Sequence, residues 1–212
     1  MKKLVWLILG IVFISIVTGV YFYDKMPLEM ASHWNSKGEI DGYMSKTYGL
    51  FLMPVISIIL VLLFILILKI DPLKKNIKKF IKYYGGLVLL IILFFFYLHL
   101  LVIFANLGYE FNMTLMMVPG LGVLFYFLGM ILSKAKRNWF VGIRTPWTLS
   151  SDKVWDKTHL LGGKLFKIAG VIAFVGLILP DYAIWFAVVP ILIFVFYLVV
   201  YSYVEFGKLR KV

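Results

Sequence analysis

The side chains able to do chemistry are concentrated in two polar passages, "MPLEMASHWNSKGEIDGYMSK" at 26–46 and "RNWFVGIRTPWTLSSDKVWDKTH" at 137–159. Each holds one of the chain's three histidines, and the third, His99, sits alone in an apolar run. In the first passage Glu29, His33, Glu39 and Asp41 offer oxygen and nitrogen donors. Their spacing fits no zinc pattern and HExxH is absent, so no metal is expected. The expected form is a hydrogen-bonded loop with turns at Gly38 and Gly42 and with Trp34 and Tyr43 at an interface. Glu29 and His33 would share a face if that segment were helical. In the second passage His159 lies near Asp152 and Asp156 but has no evident nucleophile beside it. Zero cysteines remove thiol catalysis, Cys-ligated zinc, iron–sulfur clusters and disulfides. Neither an enzyme nor a cofactor is indicated.

The elements that position these passages follow from composition. The chain is 63% hydrophobic and 15% charged, far from the globular norm of ~45–50% apolar and ~25% charged. Runs long enough to cross a bilayer lie at 4–23, 48–68, 84–105, 113–133, 164–180 and 183–204. The expected fold is therefore an all-α integral membrane protein of six transmembrane helices. Lys2 and Lys3 precede an apolar run that continues to Tyr23 without a small-residue cleavage site, so it reads as a membrane helix and not a signal peptide. All but Lys25, Lys37 and Lys46 of the 22 basic residues fall on the side that holds both termini. The far side carries Asp24, Glu29, Glu39, Asp41, Glu110 and Asp181. The bias predicts both termini in the cytoplasm, residues 24–46 outside, and 69–82 and 134–163 inside. The net charge of +12 then serves anionic lipid headgroups, not nucleic acid.

Within the spans, Gly122, Tyr126 and Gly129 share a face, and Gly162, Ala169, Ala173 and Gly176 form a small-residue stripe, both patterns suited to close helix contact. Pro54, Pro119 and Pro190 interrupt spans. His99 and Asn106 share one helix face directed at the bundle. The histidine is either a neutral imidazole bonded to a neighbouring helix or an intramembrane functional group. In the second passage, Thr145-Pro146 excludes helix, so a helix restarts with Ser150 or Ser151 as N-cap and Asp152 in its first turn. Trp155 and His159 then share a face until Gly162-Gly163 breaks or bends the helix. This predicts a short cytoplasmic amphipathic helix, with Trp139, Trp147 and Trp155 at headgroup depth and Arg137 and Arg144 at phosphates. An interfacial anchor and a partner or ligand site are the two readings of it.

The stretch "NWFVGIRTPWTLSSDKVWDKTHLLGG" resembles the cytoplasmic motif of the SdpI family of immunity proteins. The first passage resembles the small N-terminal domain of unknown function that precedes it in full-length members. The resemblance implies a membrane protein that protects against a secreted peptide toxin and senses it, with a transcriptional repressor held at the membrane as a further partner. By motif, the cytoplasmic site residues are Asn138, Trp139, Gly142, Arg144, Thr145, Pro146, Trp147, Trp155 and His159. The exterior ones are Pro27, His33, Trp34, Asn35, Gly38, Asp41 and Gly42. The expected division is a two-helix region with the exterior loop at 1–68, a basic connector at 69–83, and a four-helix region with the motif loop at 84–212. A small-solute transporter or channel is the alternative, since six spans with proline kinks can enclose a path. The topology is checked by single cysteines at Ser36, Lys75 and Ser151. An impermeant maleimide applied to intact cells labels only the first; labelling at Ser151 contradicts the topology.

Overall fold

A computed structural model describes residues 2–209; Arg210 and Lys211, counted above among the basic residues, lie outside the described residues. Among the described residues, six helices are long and apolar enough to cross a membrane. They are α1 (Lys2–Phe22), α2 (Lys46–Ile70), α4 (Ile81–Asn106), α5 (Met113–Leu132), α7 (Asp152–Val175) and α8 (Ala183–Leu209). Two short helices, α3 (Lys74–Lys79) and α6 (Pro146–Ser150), two strands, β1 (Glu29–Trp34) and β2 (Ile40–Ser45), and two 3-10 turns, Tyr23–Lys25 and Pro180–Tyr182, complete the described residues. Large apolar side chains such as Trp6, Phe13, Ile178 and Phe196 point outward, an arrangement that suits hydrocarbon and not water. This is an all-α multi-pass membrane protein with one small hairpin.

The helices form two groups of three. In the first, α1, α2 and α4 pack together around Ile8, Val12, Val61, Tyr84 and Val88. The Tyr84 hydroxyl donates to the Phe64 carbonyl at 2.7 Å, satisfying the one polar atom of that ring in an apolar contact. In the second, α5, α7 and α8 meet around Val118, Ala173, Ala183 and Ala187. The α4–α5 contact joins the groups. Lipid tails are as apolar as leucine, so close backbone approach and polar contacts hold such groups together. Gly122 and Gly129 of α5 provide that approach, against Gly170 and Gly163 of α7; of the expected α7 stripe, Ala173 and Gly176 pack on α8 instead. A Cβ on Gly129 would stand 2.6 Å from the Gly163 carbonyl oxygen, and one on Gly170 would stand 2.6 Å from that of Gly122.

That contact corrects the expectation at Gly162-Gly163. Helix α7 runs unbroken through both glycines and begins at Asp152, not at residue 164. Each glycine costs about 1 kcal/mol of helix propensity, but a side chain at either would strike α5 or the motif loop. The expected separate amphipathic helix is thus the opening turns of the fifth span.

The 26–46 passage is a hairpin, not a turn-rich loop. Strand pairing runs from Glu29 opposite Ser45 to Trp34 opposite Ile40, with register shifts on either side of His33. Gly38 takes φ +84 in the turn, a conformation glycine adopts without steric cost. Gly42 makes no turn. It lies in β2 facing His33, where a Cβ would come within 2.9 Å of the His33 Cβ. Since Glu29 and His33 are strand residues, the helical arrangement considered for them does not occur.

Side-chain amides hold the hairpin to the bundle. Asn106, at the end of α4, accepts from Ala31 N at 2.7 Å and donates to Ala31 O at 3.0 Å, standing in for a third strand. Asn112 donates to the Lys37 carbonyl at 2.8 Å while it caps α5 by accepting from Leu115 N at 3.0 Å. Met30 and Leu50, both fully buried, fill the space beneath.

The glycine contact gives a direct test. Gly129→Val forces α5 and α7 apart and lowers the thermal midpoint of purified protein by several degrees, since overpacking costs about 1–3 kcal/mol. Gly86→Ala, where a Cβ meets nothing within 4 Å, does not lower it. Equal midpoints for the two variants contradict the interlock.

Candidate functional site at the motif end

Between α5 and α7 the chain turns back on itself, and its backbone bonds are made largely by side chains. Asn138, fully buried, spends both ends of its amide there. Its Oδ1 accepts from Phe140 N at 2.9 Å and Val141 N at 2.7 Å. Its Nδ2 donates to the Lys136 and Val141 carbonyls, both at 2.9 Å. Thr145 caps α6, with Pro146 in the first helical turn, where its missing N–H costs nothing. The Thr148 hydroxyl accepts from Thr145 N at 2.9 Å and donates to the Ile143 carbonyl at 2.8 Å. Thr145 also reaches Ser202 of α8, 3.0 Å away and buried.

His159 holds the middle of the loop. It is buried and stacked on Trp155 with ring centroids 3.8 Å apart. Its Nε2 accepts from Ile143 N at 3.0 Å, and Nδ1 lies 2.9 Å from the Trp155 carbonyl. One ring nitrogen accepts and the other donates, the pattern of a neutral imidazole. Gly142, at φ +122, passes against the ring where any Cβ would collide with Nε2. The Trp155 indole N–H donates to the Ala135 carbonyl at 2.9 Å. Tryptophan and histidine therefore form the floor on which the loop rests.

Two buried carboxylates tie this end together. Asp71, just past α2, accepts from Leu73 N at 2.5 Å and from Trp139 N at 3.0 Å. Asn76 of α3 adds a bond to the Arg137 carbonyl at 2.9 Å, so the basic connector is bolted to the motif loop. Glu205, near the end of α8, pairs with Lys157 and Lys208, each at 2.5 Å. On the same face, Arg137 pairs with Asp152 at 2.7 Å and Lys136 with Asp156 at 3.1 Å.

The residues expected to act together do so only in part. Ser151 is the N-cap of α7, accepting from Val154 N. Trp155 and His159 share a face as expected, but they are buried, so Trp155 is not exposed to lipid headgroups. Arg137 is committed to Asp152 and to the Leu149 carbonyl, so it is not free for phosphate. Trp147 packs edge-on against Tyr203, with centroids 5.0 Å apart. Trp139, Arg144 and Pro146 are the exposed members, and an Arg144 N–H is donated to the Trp139 carbonyl at 2.8 Å.

The other motif stands at the opposite end of α5, about 30 Å away at 1.5 Å per residue. There His33 Nδ1 and Asp41 form an exposed 2.5 Å pair across the strands. Asn35 closes the turn, accepting from Lys37 N at 2.9 Å and Glu39 N at 3.1 Å. Pro27 is exposed, and Trp34 is half-buried. His99 bonds Ser15 of α1 at 2.8 Å, inside the first helix group. Asp71, Asn76, Asn112, Thr148 and Glu205 escaped the sequence reading. Asp71 and Glu205 left one trace, as isolated acids within strongly basic segments.

The fold and the site define a class: a multi-pass membrane protein with a side-chain-braced loop at one end and a docked hairpin at the other. The SdpI/YfhL protein family matches residues 134–203. A domain of unknown function (DUF1648) matches residues 10–58. The chain is similar to the Immunity protein SdpI of Bacillus subtilis (strain 168), with 30% identity over 201 residues that cover 94% of each chain. No solved structure matches it. The chain belongs to the SdpI family.

The bracing predicts that Asn138→Ala leaves two part-buried N–H groups and two carbonyls unpaired, at up to about 1–3 kcal/mol for each. The thermal midpoint falls by several degrees, measured by tryptophan fluorescence in detergent. A midpoint equal to wild type contradicts the assigned bonds.

Proposed function

We propose that this protein is an immunity protein of the cell membrane that gives resistance to a secreted antimicrobial peptide toxin and senses it. The observation that carries the reading is the similarity to Immunity protein SdpI along 94% of the chain, which includes both motif regions. The basic-residue bias puts the motif end in the cytoplasm and the hairpin outside. A peptide arriving from outside then meets the hairpin first, where Leu28, Ile40 and Tyr43 are exposed beside the His33–Asp41 pair. Apolar and aromatic groups around a polar pair are the composition of recognition surfaces. On the inner side, the exposed Trp139 offers a surface for a transcriptional repressor held at the membrane.

Sensing requires that toxin favour one arrangement of the bundle, because a ligand with equal affinity for two states shifts nothing. Like α2, which runs from β2 to Asp71, helix α5 reaches both ends. Asn112 and Thr114 bind its start to the hairpin turn, and Gly129 fits its last turns against α7. Movement of the hairpin is thus carried by α5 toward the loop that His159 supports.

Two measurements in one strain test this: survival against toxin and membrane localisation of a fluorescent repressor. His33→Ala and Asp41→Asn weaken toxin binding by about tenfold, equivalent to about 1.4 kcal/mol, and both outputs fall. Trp139→Ala, at an exposed side chain, abolishes recruitment and leaves survival at the wild-type level. Survival lost together with recruitment in inserted Trp139→Ala protein contradicts the division between ends.

A further inference from the structure

A cavity of about 530 Å³ lies in the seam between the two helix groups at the motif end. Phe64 of α2 and Leu87 of α4 line one side, Phe166 of α7 and Val199 of α8 the other, and Leu128 of α5 lies between them. Residues 140–145 of the motif loop also line it and bring Arg144 to it. Its volume falls within the ~300–1,000 Å³ of small-molecule sites. The walls are mainly apolar, with Arg144 and Thr145 as the polar lining. Val195 and Val199 line the cavity and remain exposed, so it opens sideways along α8.

Arg144 is the anomaly of this end. The carboxylates there are already engaged: Asp71 with backbone N–H groups, Asp152 with Arg137, Asp156 with Lys136, and Glu205 with Lys157 and Lys208. Among the described residues, Arg144 has no carboxylate partner, and its bond to the Trp139 carbonyl uses one N–H of the five a guanidinium carries. An arginine so placed presents a fork suited to phosphate. An apolar slot opening sideways beneath it suits a hydrocarbon chain.

We propose that this seam is a specific binding site for one anionic phospholipid of the adjacent leaflet, with an acyl chain in the cavity and its phosphate on Arg144. The site goes beyond the immunity reading and does not depend on it, because the same geometry binds lipid whether or not a toxin or a repressor exists. Its consequence is structural. A lipid chain there fills the space between α4 and α8 and bears on the motif loop from below, so the loop's mobility depends on membrane composition.

The test is native mass spectrometry of the purified full chain with added phosphatidylglycerol, phosphatidylcholine, palmitate or glycerol phosphate. Wild-type protein retains a single phosphatidylglycerol at least about tenfold better than phosphatidylcholine, a difference of about 1.4 kcal/mol, and glycerol phosphate does not bind. Arg144→Gln brings phosphatidylglycerol down to the phosphatidylcholine level, and Lys134→Gln, an exposed charge at the same end, does not. Val199→Trp fills the slot and loses both lipids. A melting curve accompanies each variant: phosphatidylglycerol raises the midpoint of wild type and of Lys134→Gln but not of Arg144→Gln, so the arginine comparison decides the matter even if Val199→Trp fails to fold. Equal retention by wild type and Arg144→Gln, an equal loss in Lys134→Gln, or palmitate bound as tightly as phosphatidylglycerol overturns the proposal.

Discussion

A backbone amide that leaves a helix at a membrane surface must find a partner, and at the motif end that partner is nearly always a side chain. The N–H groups of Trp139, Phe140, Val141, Ile143 and Thr145 go to Asp71, Asn138, His159 and Thr148. Unpaired and buried, each would cost about 1–3 kcal/mol. The loop therefore takes its shape from those few acceptors, and much else follows from their positions. Gly142 is needed because the His159 ring occupies the space of a side chain. Trp155 is buried because it supports that ring. Helix α7 starts at Asp152 because the chain must present both residues from below.

The same physics works differently at the hairpin end. There the sheet has only two strands, marginal on its own in water, and Asn106 supplies the missing pairing to Ala31. Asn112 serves two partners at once, the α5 terminus and the hairpin turn. Amides are suited to this because each carries donors and acceptors without a charge to desolvate. Helix α5 consequently has one end set by the hairpin and the other by interlocked glycines. That continuity is the physical basis for proposing that an event at one motif is felt at the other.

What the sequence made legible were the features carried by local pattern. Hydropathy placed five of the six spans nearly where the helices lie, because the length of an apolar run reflects the bilayer directly. The small-residue face of the fourth span was visible too, and Gly122 and Gly129 do meet the fifth span, but through Gly170 and Gly163; of the expected stripe, Ala173 and Gly176 face α8 instead. The start of α7 was not, since its first turns are amphipathic and Gly162-Gly163 imitates a helix end; contact with α5 overrides that propensity. Partnerships across the chain left no local trace. Asp71 with Trp139, Asn106 with Ala31 and Glu205 with Lys157 join residues far apart in sequence. The motif residues themselves were found by resemblance. Only the structure separates the buried ones, such as Asn138, Trp155 and His159, from the exposed Trp139 and Arg144.

The central claim is that the motif is a folded, side-chain-braced loop and not a peptide lying at the interface. Hydrogen exchange of its backbone amides in nanodiscs tests that most directly. The account predicts slow exchange at Phe140, Val141, Ile143 and Thr145, with protection at Ile143 lost selectively in His159→Ala protein that still inserts. Fast exchange across 138–145 in wild-type protein, at the rate of an unstructured segment, would contradict it.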